Sequence, residues 1–400
     1  MPVNTPSFSQ PRAIASLAAL YIFRMLGLFM VLPVLSLSGD EYVGSNVFLL
    51  GVALGIYGVT QALLQIPFGL LSDRFGRKPL IFIGLVLFAV GSVVAASADS
   101  VMGLILGRAL QGAGAIAGVI MAMVGDLTST ENRTKAMASI GASIGVAFAL
   151  ALIIGPFISS LTLLGLTGIR LLFWGTIILS LMGMGILLWV IPNTAETQQK
   201  VSQLSLDHLR AVSKNSQCLL LYLGIFILHY VLMGFFVVVP LLLDQAAVAR
   251  IDHSWIYLGV MLASFVVMIP LMIIGERQKK VKTFLLLTIA LLIATMVIMG
   301  FMHQQLPLLI FCLGLFFIGF NYLEANLPSL LTKILPAESK GAGSGVFATC
   351  QFLGAALGGI VGGGLYEQWG LSALLISMVI LLSVWLFAAR WMIIPRHIKG

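Results

Sequence analysis

Twelve stretches of mostly apolar residues, each long enough to cross a bilayer, take up most of this 400-residue chain. A helix needs about 20 apolar residues to span a hydrocarbon core roughly 30 Å thick. The stretches fall at 12–36, 47–71, 79–97, 101–125, 134–159 and 170–191, then at 218–243, 255–275, 282–302, 306–331, 341–365 and 371–394. A membrane β-barrel needs short segments of alternating polarity, and the sequence shows no such alternation. Composition agrees, with 60% hydrophobic and 9% charged residues, too few polar groups to cover a soluble core. The chain reads as an all-α membrane protein of twelve transmembrane helices.

The formal net charge of +8 is a statement about topology. If the N-terminus is cytoplasmic, 18 of the 22 lysines and arginines fall on cytoplasmic segments, and only Arg170 and Arg250 on the other side. Arg24 and Arg108 lie within spans. Shifting the span count by one destroys this asymmetry, so twelve spans with both termini cytoplasmic satisfy the positive-inside rule. No basic groove with interleaved aromatics exists, and no nucleic-acid partner is implied. The polar start MPVNTPSFSQPR runs into the first span without a cleavage motif and reads as a cytoplasmic tail. Cys218, Cys312 and Cys350 sit in or beside apolar stretches without ligand spacing and read as small packed residues.

The one long loop divides the spans six and six. This gives a first half over 1–191, a cytoplasmic linker over 192–217 and a second half over 218–400. Two six-helix pseudo-repeats imply a path for a small molecule between them.

The loop after the second span reads Gly69-Leu70-Leu71-Ser72-Asp73-Arg74-Phe75-Gly76-Arg77-Lys78-Pro79. Two glycines permit close helix approach and a tight turn, and Asp73 lies among three cations within reach of Arg77. Span 4 carries Arg108, Gln111, Gly112 and Gly114; span 5 carries Gly155-Pro156. With these residues the sequence resembles the major facilitator superfamily, and within it the twelve-span drug:proton antiporter branch. The family's loop signature is matched at every strongly marked position. Its span 5 signature is matched only in part, since Ala151 and Ser159-Ser160 replace glycines. Some members of the branch carry a soluble domain after the last span; this sequence runs six residues past it, to Gly400.

The resemblance implies that spans 1, 4, 7 and 10 line a central cavity, and Arg24, Arg108, His229 and Glu324 fall on these four spans. Ionisable groups at membrane depth cost several kcal/mol unless they face water or a partner, so each is a functional candidate. Glu324, as the sole intramembrane carboxylate, is the first candidate for a proton-titrating group, with His229 second. Asn321, one turn away, is a candidate partner for Glu324. The resemblance associates Arg108 with proton coupling. With His229 neutral these charges sum to +1, which fits anionic or neutral cargo better than cations. Phe23, Phe29, Tyr57, Phe148, Phe235, Phe236, Phe316, Phe320 and Tyr322 are candidates for an aromatic lining.

The resemblance further implies a gate at the cytoplasmic face. The start of span 11, near Gly341 and Gly345, meets the Gly69–Lys78 loop there in the outward-facing state, held by Asp73, and Asp126 joins that cluster through Arg77 or Arg133. Glycines at four-residue spacing, including Gly51/Gly55 and Gly354/Gly358/Gly362, mark surfaces where helices pack closely.

No phosphate-binding loop, metal-ligand cluster or nucleophile elbow is present, so ATP-driven transport, metal chemistry and an intramembrane enzyme are not indicated. The reading is a proton-coupled secondary transporter, monomeric, multi-pass in a bacterial inner membrane, exporting small amphipathic compounds or drugs and using the proton gradient rather than a cofactor. Alternatives are proton-coupled movement of a metabolite such as a sugar or organic anion and, more distantly, a non-transporting membrane receptor.

Overall fold

A computed structural model describes residues 10–128, 133–163, 165–191, 206–336 and 339–393. The linker's first part and both chain ends lie outside the described residues. Among those described, the chain is helical: α1 (Gln10–Phe29), the short α2 (Leu32–Leu35), α3 (Val47–Phe75), α4 (Arg77–Ala96), α5 (Val101–Ala113), α6 (Ala117–Leu127), α7 (Arg133–Ser159) and α8 (Gly168–Trp189). After the linker come α9 (Leu206–Lys214), α10 (Ser216–Gln245), α11 (Asp252–Arg277), α12 (Val281–Met302), α13 (Leu306–Ile334) and α14 (Lys340–Ala389).

Among the described residues, eleven helical segments are long and apolar enough to cross a membrane. The last of them, α14, has 50 residues, which at about 1.5 Å per residue is over twice a bilayer core. Its backbone breaks at Gly370, where φ is 76°, so the one helix contains the two predicted spans end to end. Three further predicted spans are also modified. The first breaks after Phe29 and resumes as α2, the tenth runs on to Ile334, and the fourth is split into α5 and α6 at Gly114–Ile116. Gly114 there has non-helical dihedrals (φ −75°, ψ 60°).

Aspartates, arginines and lysines gather at the end of the bundle where α3 turns into α4 and α11 into α12; this is called the basic end. The opposite, far end carries Gly39–Glu41 and the α10–α11 turn.

The helices before the linker and those after it meet differently at the two ends. Toward the far end, α3 and α14 touch backbone to backbone. A Cβ on Gly51 or Gly55 would collide with the Gly359 or Ala356 carbonyl, and one on Gly58 would lie 2.6 Å from the Phe352 oxygen. Only residues without a side chain allow this approach. Two polar contacts join the same surfaces: Ser36 Oγ donates to the Phe236 carbonyl at 2.9 Å, and the Val47 N–H donates to Glu367 Oε2 at 3.0 Å. Toward the basic end the surfaces part. Gly141 and Gly145 on α7 and Gly341 and Gly345 on α14 have nothing within 4 Å of a Cβ position. The predicted packing at Gly341 and Gly345 is therefore not made here, and among the described residues no hydrogen bond or ion pair joins Asp73 to the start of α14. Gly69 is likewise open, so its expected close helix approach is absent.

Glycine does serve where the chain turns. Gly76 has φ 96° and ψ 153°, a region closed to side chains, and it separates α3 from α4 within one residue.

Candidate functional site

Three polar groups meet where α10, α13 and α14 converge beside the parted surfaces. The Gln351 amide nitrogen on α14 donates to Glu324 Oε1 on α13 at 3.2 Å and lies 2.8 Å from His229 Nε2 on α10. An amide nitrogen can only donate, so Nε2 is the acceptor. His229 then keeps its proton on Nδ1, which donates to the Ile225 carbonyl at 3.2 Å. The imidazole is neutral in this arrangement. Its Nε2 is 3.7 Å from Glu324 Oε2, a buried oxygen with no hydrogen-bond partner of its own. The Glu324 side chain keeps 32% of its exposure, against 10% for His229.

Phenylalanines cover this trio on its far-end side. Phe148 of α7 reaches across to Phe320 and Phe236, with ring centroids 5.7 and 6.3 Å away, and packs on Phe29 at 5.1 Å. Phe235 stacks on Phe316 at 3.8 Å, and Phe320 lies 5.9 Å from the His229 ring. An apolar plug of rings thus separates Glu324 from the closed far end. Of the aromatics proposed as lining, Phe29, Phe148, Phe235, Phe236, Phe316 and Phe320 join this plug. Tyr57 and Tyr322 are buried within their own helix groups instead, and Phe23 makes none of these ring contacts.

Asn321 is not the partner of Glu324. Its Nδ2 donates to Ser264 Oγ on α11 at 2.8 Å, turned away from the carboxylate and tying α13 to α11.

The two arginines expected in the cavity are also elsewhere. Arg24 is 1% exposed; its Nη2 donates to Gln61 Oε1 at 3.0 Å and to the Gly114 carbonyl at 2.7 Å, with Phe88 beneath the guanidinium. The break between α5 and α6 frees that carbonyl, and Arg24 takes it. Arg108, also 1% exposed, donates to the Ala53 carbonyl at 3.2 Å and to Gln111 Oε1 at 2.7 Å over the Tyr57 ring; Gln111 in turn donates to Ser92. Both cations are dissolved among amide oxygens and ring faces inside the helices before the linker. The +1 cavity charge therefore does not hold: both arginines are enclosed in their own helices, and of the four groups only Glu324 keeps appreciable exposure.

The α3–α4 turn assembles the predicted charge cluster. Arg77, 5% exposed, pairs with Asp73 and with Asp126 at the end of α6 (3.1 Å), and also donates to Ser72. Arg74 is exposed. Lys78 donates to the Ile191 carbonyl, just past the end of α8, at 2.9 Å. The alternative partner for Asp126, Arg133, has its side chain outside the described residues. Gly155 packs on the Met30 carbonyl, 2.5 Å from a Cβ position, and Pro156 lines a far-end cavity.

Gln351 and Gln61 carry no charge, so the pattern of ionisable groups within the spans does not reveal them. An amide in a glycine-rich apolar span was the available signal for Gln351.

A multi-pass helical protein with a polar trio gathered from three helices after the linker, under rings drawn from both sides of it, has the architecture of a membrane transporter. The sequence matches the Major Facilitator Superfamily over residues 17–354 and again over 221–399, and the chain belongs to that family. It is 42% identical over 390 residues to the inner membrane transport protein YajR of Escherichia coli (strain K12), covering 97% of this chain and 85% of that protein. It is 26% identical over 357 residues to the multidrug resistance protein MdtH of Aeromonas hydrophila, covering 87% and 85%. A D-xylose-proton symporter structure shares the fold with TM-score 0.74 at 15% identity, over 96% of both chains.

Proposed function

We propose that this chain is a proton-coupled secondary transporter that exports small amphipathic compounds by alternating access, with Glu324 as its proton-binding group. The supporting observation is that Glu324, a carboxylate well inside α13, has one oxygen unpartnered and the other sharing a single amide with a neutral histidine. A carboxylate so placed accepts either a proton or a cation. Each would rearrange the Gln351 link between α10, α13 and α14, which is how occupancy biases one conformation over another. The named multidrug and inner-membrane relatives favour export across a bacterial inner membrane, with the basic end cytoplasmic as the charge asymmetry implies.

Cargo preference follows from the corrected charge. With Arg24 and Arg108 withdrawn, the interface carries −1 when Glu324 is ionised. Cationic or neutral compounds with an aromatic face, settling under the phenylalanine plug, fit better than anions.

Proteoliposomes with an imposed pH gradient and a panel of lipophilic dyes test the reading. Efflux against the dye gradient, driven by protons, is expected, and Glu324→Gln should uncouple dye movement from pH while the protein stays monodisperse. Wild-type coupling in Glu324→Gln, or no gradient-driven movement in either orientation, would refute it.

A further inference from the structure

The far end holds titratable groups that the coupling site leaves unused. A cavity of about 20 Å³, room for one water molecule, lies there. Its walls come from both sides of the interface: Glu41, Pro156, Ser159 and Gly168 from before the linker, Arg250 and His253 from after it. His253, at the start of α11, is fully buried, and neither ring nitrogen has a hydrogen-bond partner. The Val248 carbonyl sits beside the ring but outside hydrogen-bonding geometry. Buried imidazole nitrogens are rarely left this way without a water or a second side chain to serve them.

Glu41 supplies the acid. Its Oε1 accepts the Ile169 N–H at 3.4 Å at the start of α8, a helix whose Thr167 gives no side-chain cap. Burial pushes the Glu41 carboxyl above its ordinary range, opposed by the Ile169 and Ser38 hydrogen bonds and by the charges of Arg170 and Arg250.

We infer that Glu41 and His253 form a second proton-binding pair, bridged by a water in this cavity, which holds the far end shut when the pair carries one proton. With one proton, each group finds a complement through the water. With none, a half-buried carboxylate keeps its charge against the desolvation of the closed far end, offset only in part by the Ile169 and Ser38 hydrogen bonds and the arginines. With two, the imidazolium adds positive charge beside Arg250 with no ionised carboxylate across the cavity. The other charges here are already engaged or lie off the cavity wall: Arg170 pairs with Asp99 at 2.9 Å, Arg250 pairs with Asp244 at 3.7 Å, and Asp252 precedes His253.

The sign for Glu41 follows from its raised pKa. Its contribution to closure is complete below the ordinary value of 4.5 and lost as pH rises through the raised value. Protonation of His253 removes closure from the acid side. Closure therefore has a bell-shaped pH dependence, with a slope of at most about tenfold in the open-to-closed ratio per pH unit and proton.

This inference rests on the alternating-access reading but not on Glu324. The test is the distance distribution between spin labels at Val43→Cys and Trp255→Cys, both exposed at the far end, in full-length protein in nanodiscs with the native cysteines replaced. The closed fraction should peak at intermediate pH. Glu41→Gln should abolish the alkaline limb, and His253→Gln or His253→Asn the acid limb. Glu367→Gln, at a far-end carboxylate off the cavity wall, should leave both limbs in place. The bell should persist in Glu324→Gln. Profiles unchanged by both Glu41→Gln and the His253 variants overturn the pair. If instead Glu324→Gln alone flattens the profile, the pair fails while the coupling site stands; a persistent bell lost only in the Glu41 and His253 variants supports the pair whatever becomes of the coupling site.

Discussion

A single methyl group at Gly58 should open the far end. Gly58 lies on α3 against α14, and a Cβ there would sit 2.6 Å from the Phe352 carbonyl oxygen, 3.0 Å from Ala356 N and 3.2 Å from Ala356 Cβ. Comfortable contacts lie near 3.5 Å, so the helices must separate by almost 1 Å along this stretch. All three neighbours are backbone atoms or a Cβ, so no rotamer change can relieve the clash. Overpacking of this kind costs about 1–3 kcal/mol. Charged wholly to the closed far end, that lowers its population relative to the open one by roughly 5- to 150-fold. The assay is maleimide labelling of Val34→Cys, which is 5% exposed and lines the far-end cavity, in a background without the native cysteines. Labelling of a site that reacts only when open scales with the open population, so Gly58→Ala should speed it by that factor. Gly345→Ala, on the same partner helix but facing open space, should not. Equal labelling rates in Gly58→Ala and wild type would show that the α3–α14 contact does not govern closure.

Other consequences are local. Asp126→Asn leaves the buried Arg77 with Asp73 alone and should lower thermal stability in detergent by about 1–3 kcal/mol, a loss that Asp126→Glu restores in part. Gly76→Ala forces a side chain into a backbone region reserved for glycine and should cost about 1–3 kcal/mol, read as a lower melting temperature. Asn321→Ala removes a hydrogen bond to Ser264 worth about 1 kcal/mol and should leave proton-driven transport intact, whereas Glu324→Gln does not.

The sequence announces what bilayer physics enforces. Span lengths and the Asp73–Arg77 pairing follow from hydrophobic thickness, side-chain reach and the scarcity of charge. Partners across space are a different matter. Arg24 reads as a cavity cation because its span is a cavity helix in the family. Its direction is set by a carbonyl freed ninety residues later, at the Gly114 break. Asn321 reads as a neighbour of Glu324 because three residues make almost one turn, yet that spacing places the two side chains some 60° apart around the axis, enough for one to face α11 and the other α14. Gln351 is invisible to a search for charge because an amide costs too little in a membrane to stand out. Gly341 and Gly345 show a further limit. A glycine spacing marks a surface able to pack, and whether it is packed depends on which end of the interface is closed.

The glycine seam between α3 and α14 has a thermodynamic consequence. Side chains that interlock at an interface surrender rotamer freedom on closing and regain it on opening, up to about 2 kcal/mol each for the long ones. Gly51, Gly55, Gly58, Gly359 and Gly363 have no rotamers to surrender. Opening this seam therefore releases almost no side-chain entropy; what is lost is the enthalpy of close backbone contact. On the proposed alternating-access reading, a gate built this way opens and closes with little dependence on temperature from conformational entropy.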